Sequence, residues 1–143
     1  KNPQHEFGHL WEYPLRSVCT ISTHDMATLR GWWEEDPALT ARYYNQVLGQ
    51  WGEVPVTAPG WACEEIVRQH LQCPSLLCIL AFQDWLSMDE DLRYPDANAE
   101  RINVPANPRH YWRYRMHLTL EDLMKNKAFN KKMTEMIDEA GRY

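Results

Sequence analysis

From Leu76 to Phe82 the chain reads Leu-Leu-Cys-Ile-Leu-Ala-Phe, seven apolar residues in a row, and it runs directly into Gln83-Asp84. A run without alternation reads as a strand buried on both faces, and such strands belong to parallel sheets. A second strand is predicted upstream, where Ser17 to Thr23 (Ser-Val-Cys-Thr-Ile-Ser-Thr) is short and β-branched and ends in His24-Asp25. Between the two, the spacing is helical. Met26, Leu29, Trp32 and Trp33 predict helical turns stopped at Pro37, and Leu39 to Leu48 predicts a second helix closed by Gly49. Cys63, Ile66, Val67, His70 and Leu71 fall on one face of a third helix, ended by Pro74. Two strands joined through helices form a parallel pair with a right-handed crossover. The predicted class is α/β and rich in helix.

That topology says where to look for chemistry. In parallel α/β folds, ligands meet the loops beyond the carboxyl ends of the strands. Both predicted strands end there in a polar pair, His24-Asp25 and Gln83-Asp84, and the two pairs would share one rim. Further along, residues 87–108 are polar, carry Pro95, Pro105 and Pro108, and read as a long loop. Thr119-Leu-Glu-Asp122 predicts an N-cap with an acidic residue at N3. Phe129, Met133, Met136, Ile137 and Ala140 then form an amphipathic stripe closed by Gly141.

Composition excludes several classes. Of 143 residues, 15 are basic and 20 acidic, a net charge of −5 with no block of basic residues, so nucleic acid is not an expected partner. No apolar run approaches the roughly 18 residues of a membrane span, and no secretory leader opens the chain, so a cytoplasmic protein is expected. Cys19, Cys63, Cys73 and Cys78 contain no C-x-x-C pair and read as reduced thiols. Seven Trp and seven Tyr suit sugar stacking, but core packing uses them too.

Each local motif has two readings. Asp25 at a strand end could grip vicinal hydroxyls with His24 beside it, or cap the helix that follows. Asp84, with Gln83, could do the same or cap a short turn through Trp85 and Leu86. His5-Glu6-Phe7-Gly8-His9 matches the H-E-x-x-H pattern of zinc peptidases, in which a helix presents both His and a Glu base. Pro3 and Gly8 argue against a helix there, so no metal site is expected. Arg101 to Arg115 is dense in donors and rings; Asn103 and Trp112 could meet a sugar, while the rest reads as a loop pinned by salt bridges.

The sequence from Ser17 through Thr23-His24-Asp25-Met26-Ala27-Thr28-Leu29-Arg30-Gly31-Trp32-Trp33-Glu34-Glu35 resembles the seventh-strand motif of amylomaltases, the 4-α-glucanotransferases of glycoside hydrolase family 77. Phe82-Gln83-Asp84 resembles the end of their eighth strand. Arg101-Ile102-Asn103-Val104-Pro105, followed by Trp112 and Arg115, resembles the next loop. The Asn107-to-Arg115 run is similar to the long bacterial and plant-cytosolic branch; shorter members carry Gly and Asn where this chain has Ala106 and Tyr111.

The resemblance implies the C-terminal part of a (β/α)₈ TIM barrel, its last two βα units, over residues 1–143. It implies a retaining transglycosylase acting on α-1,4-glucans (maltodextrins), with no cofactor. By match, Asp25 would be the third catalytic carboxylate, a transition-state stabiliser, and His24 its substrate-binding neighbour; Gln83, Asp84, Asn103 and Trp112 would complete the substrate site. No residue in the irregular first sixteen matches the family's nucleophile or acid/base, and a full barrel needs about 200 residues. Two carboxylates flanking the bond are the minimum for this chemistry, so the chain alone is expected to be inactive. Uncovered strand edges are expected to drive self-association or a helical rearrangement. The alternatives are a non-catalytic glucan-binding or interaction module and the zinc peptidase of His5 and His9.

Overall fold

A computed structural model describes residues 5–142. Two strands, β1 (Val18–Cys19) and β2 (Leu77–Cys78), pair in parallel with Val18 opposite Leu77 and Cys19 opposite Cys78. Helices α1 (Leu29–Glu35), α2 (Pro37–Gln46) and α3 (Gly60–Leu71) make the crossover between them. After β2 come α4 (Phe82–Leu86), a 3₁₀ turn at Ala97–Glu100, α5 (Leu120–Lys125) and α6 (Lys127–Glu139). The α/β class and the parallel crossover hold, and helix dominates.

The strands are much shorter than their apolar runs. Hydrogen bonds continue a little beyond them, Leu76 N donating to Leu15 O at 2.7 Å and Ile79 N to Cys19 O at 2.9 Å. The expected burial on both faces fails: Leu76, Leu77 and Ile79 are 65%, 53% and 60% exposed. Each strand has one neighbour and an open edge, and nothing covers the outer face, so the ladder ends after two residue pairs. Phe82 belongs to α4 rather than to a strand. The apolar run records burial that these residues alone do not supply.

Caps set the helix boundaries. Thr28 opens α1, its hydroxyl accepting from Gly31 N at 3.3 Å. Asp36 opens α2 by accepting from Ala38 N and Leu39 N, both at 3.0 Å, with Pro37 at the first helical position. The second helix therefore begins two residues before the expected Leu39, because Pro is tolerated where no intrahelical donor is needed. The predicted single terminal helix is two. Thr119 and Asp122 form a reciprocal capping box for α5, and Asn126 ends that helix and caps α6 through Phe129 N at 3.0 Å.

The core lies where α3 meets its neighbours: Ala62, Cys63, Ile66, Val67 and Leu71 pack with Leu29 and Trp33 of α1, Leu86 of α4, and Phe129 and Met136 of α6. Arg142 fastens the end of the chain to the approach of β2, donating to the carbonyls of Leu71, Cys73 and Ser75 at 2.5–2.9 Å. All four cysteines are free thiols. No helix of the described residues is long and apolar enough to cross a membrane.

Gly60 opens α3 against the loop after α4. A Cβ there would stand 2.8 Å from the Met88 carbonyl oxygen, a backbone atom that cannot turn aside. Gly60→Ala is therefore expected to destabilise the fold by about 1–3 kcal/mol, read as a lower urea midpoint at unchanged slope.

Candidate functional site

At the carboxyl end of β1 the chain leaves the sheet through Thr20 to Ala27 before α1 begins. His24 and Asp25 sit on this turn with side chains 54% exposed, His24 Nε2 3.2 Å from Asp25 Oδ2. From the far side, Asn103 Nδ2 donates to Asp25 Oδ1 at 2.7 Å. The Trp112 ring lies 5.1 Å from the His24 ring, tilted by 42°, and is itself exposed. Four of the six residues singled out from sequence thus meet at one open rim.

Asp25 does not cap the helix that follows; Thr28 does. Capping was the main structural explanation for a carboxylate at this position, and it is removed. Asp25 keeps a half-exposed carboxylate held on one oxygen by an amide and flanked by an imidazole. Such a group can accept hydrogen bonds from a pair of neighbouring hydroxyls.

Gln83 and Asp84 are corrected from rim to foundation. Asp84 is 0% exposed; its Oδ2 accepts from Ser22 Oγ at 2.5 Å and its Oδ1 from Leu29 N at 2.9 Å. It is a cap after all, but for α1, 55 residues upstream. Gln83 is 6% exposed and donates through Nε2 to the Glu100 carbonyl at 3.3 Å. Both belong to α4, which turns them into the core because the strand that would have aimed them at the rim ends at Cys78.

Sequence reasoning passed over Glu100 and Arg30. Glu100, on the 3₁₀ turn, accepts from Thr28 Oγ1 at 3.0 Å and from Arg30 Nη1 at 2.5 Å. Arg30 also donates to the Tyr94 carbonyl at 2.6 Å and is 4% exposed. This buried pair docks the long loop on α1, two residues before Ile102-Asn103. Arg101 then bridges outward, donating to the Asn103 carbonyl at 3.0 Å and meeting Glu35 at 3.3 Å. A signal for Arg30 was present: it lies between Leu29 and Trp33 on a buried face, where a charge requires a partner. Nothing in the local sequence named Glu100 as that partner.

The H-E-x-x-H motif does not form a peptidase centre. Residues 5–9 make no helix, and Glu6 is turned onto the Arg42 guanidinium at 2.9 and 3.1 Å, away from any position over a metal. A cavity of about 470 Å³ lies on the other side of the molecule, lined by Phe7, Tyr13, Tyr43, Gln69 and Cys73, which precede the strands rather than follow them. It shares no residue with the rim.

Comparison with known proteins decides the family. Residues 1–120 match the family profile of the 4-alpha-glucanotransferases, glycoside hydrolase family 77. The chain belongs to that family. It is 39% identical over 140 residues to the rice 4-alpha-glucanotransferase DPE2, covering 98% of this chain and 15% of that protein. It is 31% identical to the 4-alpha-glucanotransferase of Chlamydia caviae, covering 91% of this chain and 24% of the relative. An amylomaltase from Streptococcus agalactiae, solved in complex with acarbose, matches its fold with a TM-score of 0.64 at 21% identity, over 91% of this chain and 23% of that one. The glucanotransferase chain therefore spans less than a quarter of the length of these relatives.

Burial pushes Asp84 above the ordinary carboxylate range, against the pull of Leu29 N–H and Ser22, and it pushes Glu100 up as well, offset by Arg30 and Thr28. A raised folded pKa means that folding favours the protonated form. That stability is full below the unfolded carboxylate range and is lost as pH rises through the folded pKa. The stability lost on Asp84→Asn is accordingly expected to be larger at pH 4 than at pH 7, measured by urea denaturation at both.

Proposed function

We propose that this chain is the C-terminal part, the last two βα units, of the (β/α)₈ catalytic barrel of a cytoplasmic 4-α-glucanotransferase, and that its rim binds the sugar at the cleaved bond. The observation that carries the reading is the half-exposed Asp25 carboxylate, held by Asn103 at 2.7 Å with His24 beside it. The family match over residues 1–120 supports the same reaction class.

In this reading the substrate is an α-1,4-glucan and the reaction is retaining double displacement. A nucleophilic aspartate and a glutamic acid/base on other parts of the parent enzyme form and resolve a covalent glucosyl-enzyme. Asp25 accepts from the 2- and 3-hydroxyls of the sugar as it flattens toward an oxocarbenium-like state. Hydrogen bonds to the 2-hydroxyl that strengthen in that state supply several kcal/mol. Asn103 fixes one oxygen of Asp25 so that the other is aimed at the sugar, and His24 donates alongside. The exposed Trp112 ring offers a flat apolar face to a glucose unit. Gln83 and Asp84 act from beneath, holding the turn that carries Asp25.

The chain by itself lacks a pair of carboxylates to flank a bond. Asp84 and Glu100 are 0% and 2% exposed and are used up by internal partners. The uncovered apolar strip of Leu15, Val18, Leu76, Leu77 and Ile79 is the surface that would pack on the rest of the barrel and, without it, drive self-association.

The test is a titration of the chain with maltotetraose, followed by NMR of the tryptophan indole N–H groups together with a glucose assay. The Trp112 indole is expected to shift, the shift to vanish in Asp25→Ala, and no glucose to appear. Glucose release that depends on Asp25 would overturn the claim that these residues are part of a larger machine. A Trp112 indole indifferent to sugar would overturn the assignment of the rim.

A further inference from the structure

The segment that carries the unused H-E-x-x-H motif gathers a different set of donors. The His5 and His9 rings lie face to face, 3.8 Å between centroids and 30° apart. A 3₁₀ turn at Leu10–Glu12, closed by Glu12 N donating to His9 O at 3.0 Å, brings the Glu12 carboxylate to 3.3 Å from His9 Nδ1. One donor atom from each of His5, His9 and Glu12 lies within 4.8 Å of the other two.

The segment is held in place independently of this group. Glu6 is paired with Arg42 on α2, Phe7 meets Tyr43 edge-on at 5.1 Å, and the His9 ring stacks on Trp11 at 4.6 Å. Donors on an anchored segment lose less freedom on binding than donors on a loose one.

We propose that His5, His9 and Glu12 form a binding site for a divalent transition-metal ion of the zinc type. Two imidazole nitrogens and one carboxylate oxygen are the ligands that zinc, nickel and copper favour, and calcium or magnesium would want more oxygens. Metal–ligand bonds of about 2.0–2.2 Å bring tetrahedral donors roughly 3.3–3.5 Å apart, so the side chains must close by about an ångström. His5 and Glu12 are exposed and free to turn. A fourth position is left for water. The pairing of Glu6 with Arg42 leaves no base beside that water, so the site holds a metal and fastens the segment without hydrolysing a peptide. The site is separate from the rim and does not depend on the glucan reading.

Cobalt(II), the spectroscopic stand-in for zinc, tests this on the 143-residue chain. One equivalent is expected to bind with visible ligand-field absorption, without the near-ultraviolet charge-transfer band of a thiolate ligand, and to be displaced by zinc. His9→Ala and Glu12→Gln should each weaken binding by about tenfold or more, with circular dichroism unchanged. A thiolate band would assign the metal to the cysteines and overturn the proposal. So would undiminished binding in both variants, or no binding at about 100 µM, the weak end for a specific three-ligand site.

Discussion

A single buried carboxylate ties the two strand ends together. Asp84, at the start of the segment after β2, holds Ser22 at the exit of β1 with one oxygen and the first N–H of α1 with the other. Ser87 closes the same turn from behind, donating to the Asp84 carbonyl at 2.5 Å. With only two residue pairs in the ladder, the sheet alone cannot set how the β1 exit loop sits over α4. The carboxylate does. Removing such a charge from water costs several kcal/mol, and its hydrogen bonds do little more than offset that, so its value lies in register rather than in net stability.

Glu100 repeats the device one layer out. It takes Thr28 and Arg30 of α1 on its side chain and Gln83 of α4 on its carbonyl. The loop after α4 is thereby docked next to the turn that α1 follows, and Asn103 reaches Asp25 across 78 residues of sequence. Two buried acids beneath thus support one exposed acid above. The exposed acid does chemistry only if its direction is fixed, and the pair below supplies that direction.

The helices were legible in the sequence because their signals are local. The Cys63–Leu71 and Phe129–Ala140 stripes, the Thr119–Asp122 capping box and the order of strands and helices all follow from residues within a few positions of one another. What depended on distant residues was not legible. Leu76 to Phe82 looked like a long doubly buried strand because its composition anticipates neighbours on both sides, and the structure leaves Leu77 and Ile79 exposed. Gln83-Asp84 and His24-Asp25 look alike as strand-end polar pairs, yet one pair is interior and the other is at the rim. Only the length of each strand distinguishes them. Glu100 carried no pattern at all, since its partners lie 70 and 72 residues away.

Open strand edges, an uncovered apolar face and a catalytic rim with one accessible acid all describe part of an enzyme, in keeping with a chain that spans 15–24% of its relatives. The central claim, that Asp25 stabilises the transition state, is tested most directly in the full-length glucanotransferase that carries these residues. The measurement is kcat for maltotriose disproportionation by the Asp25→Asn variant. A fall of about a hundredfold or more, with the fold intact, is the predicted result. A kcat within about twofold of the unmodified enzyme would contradict the account.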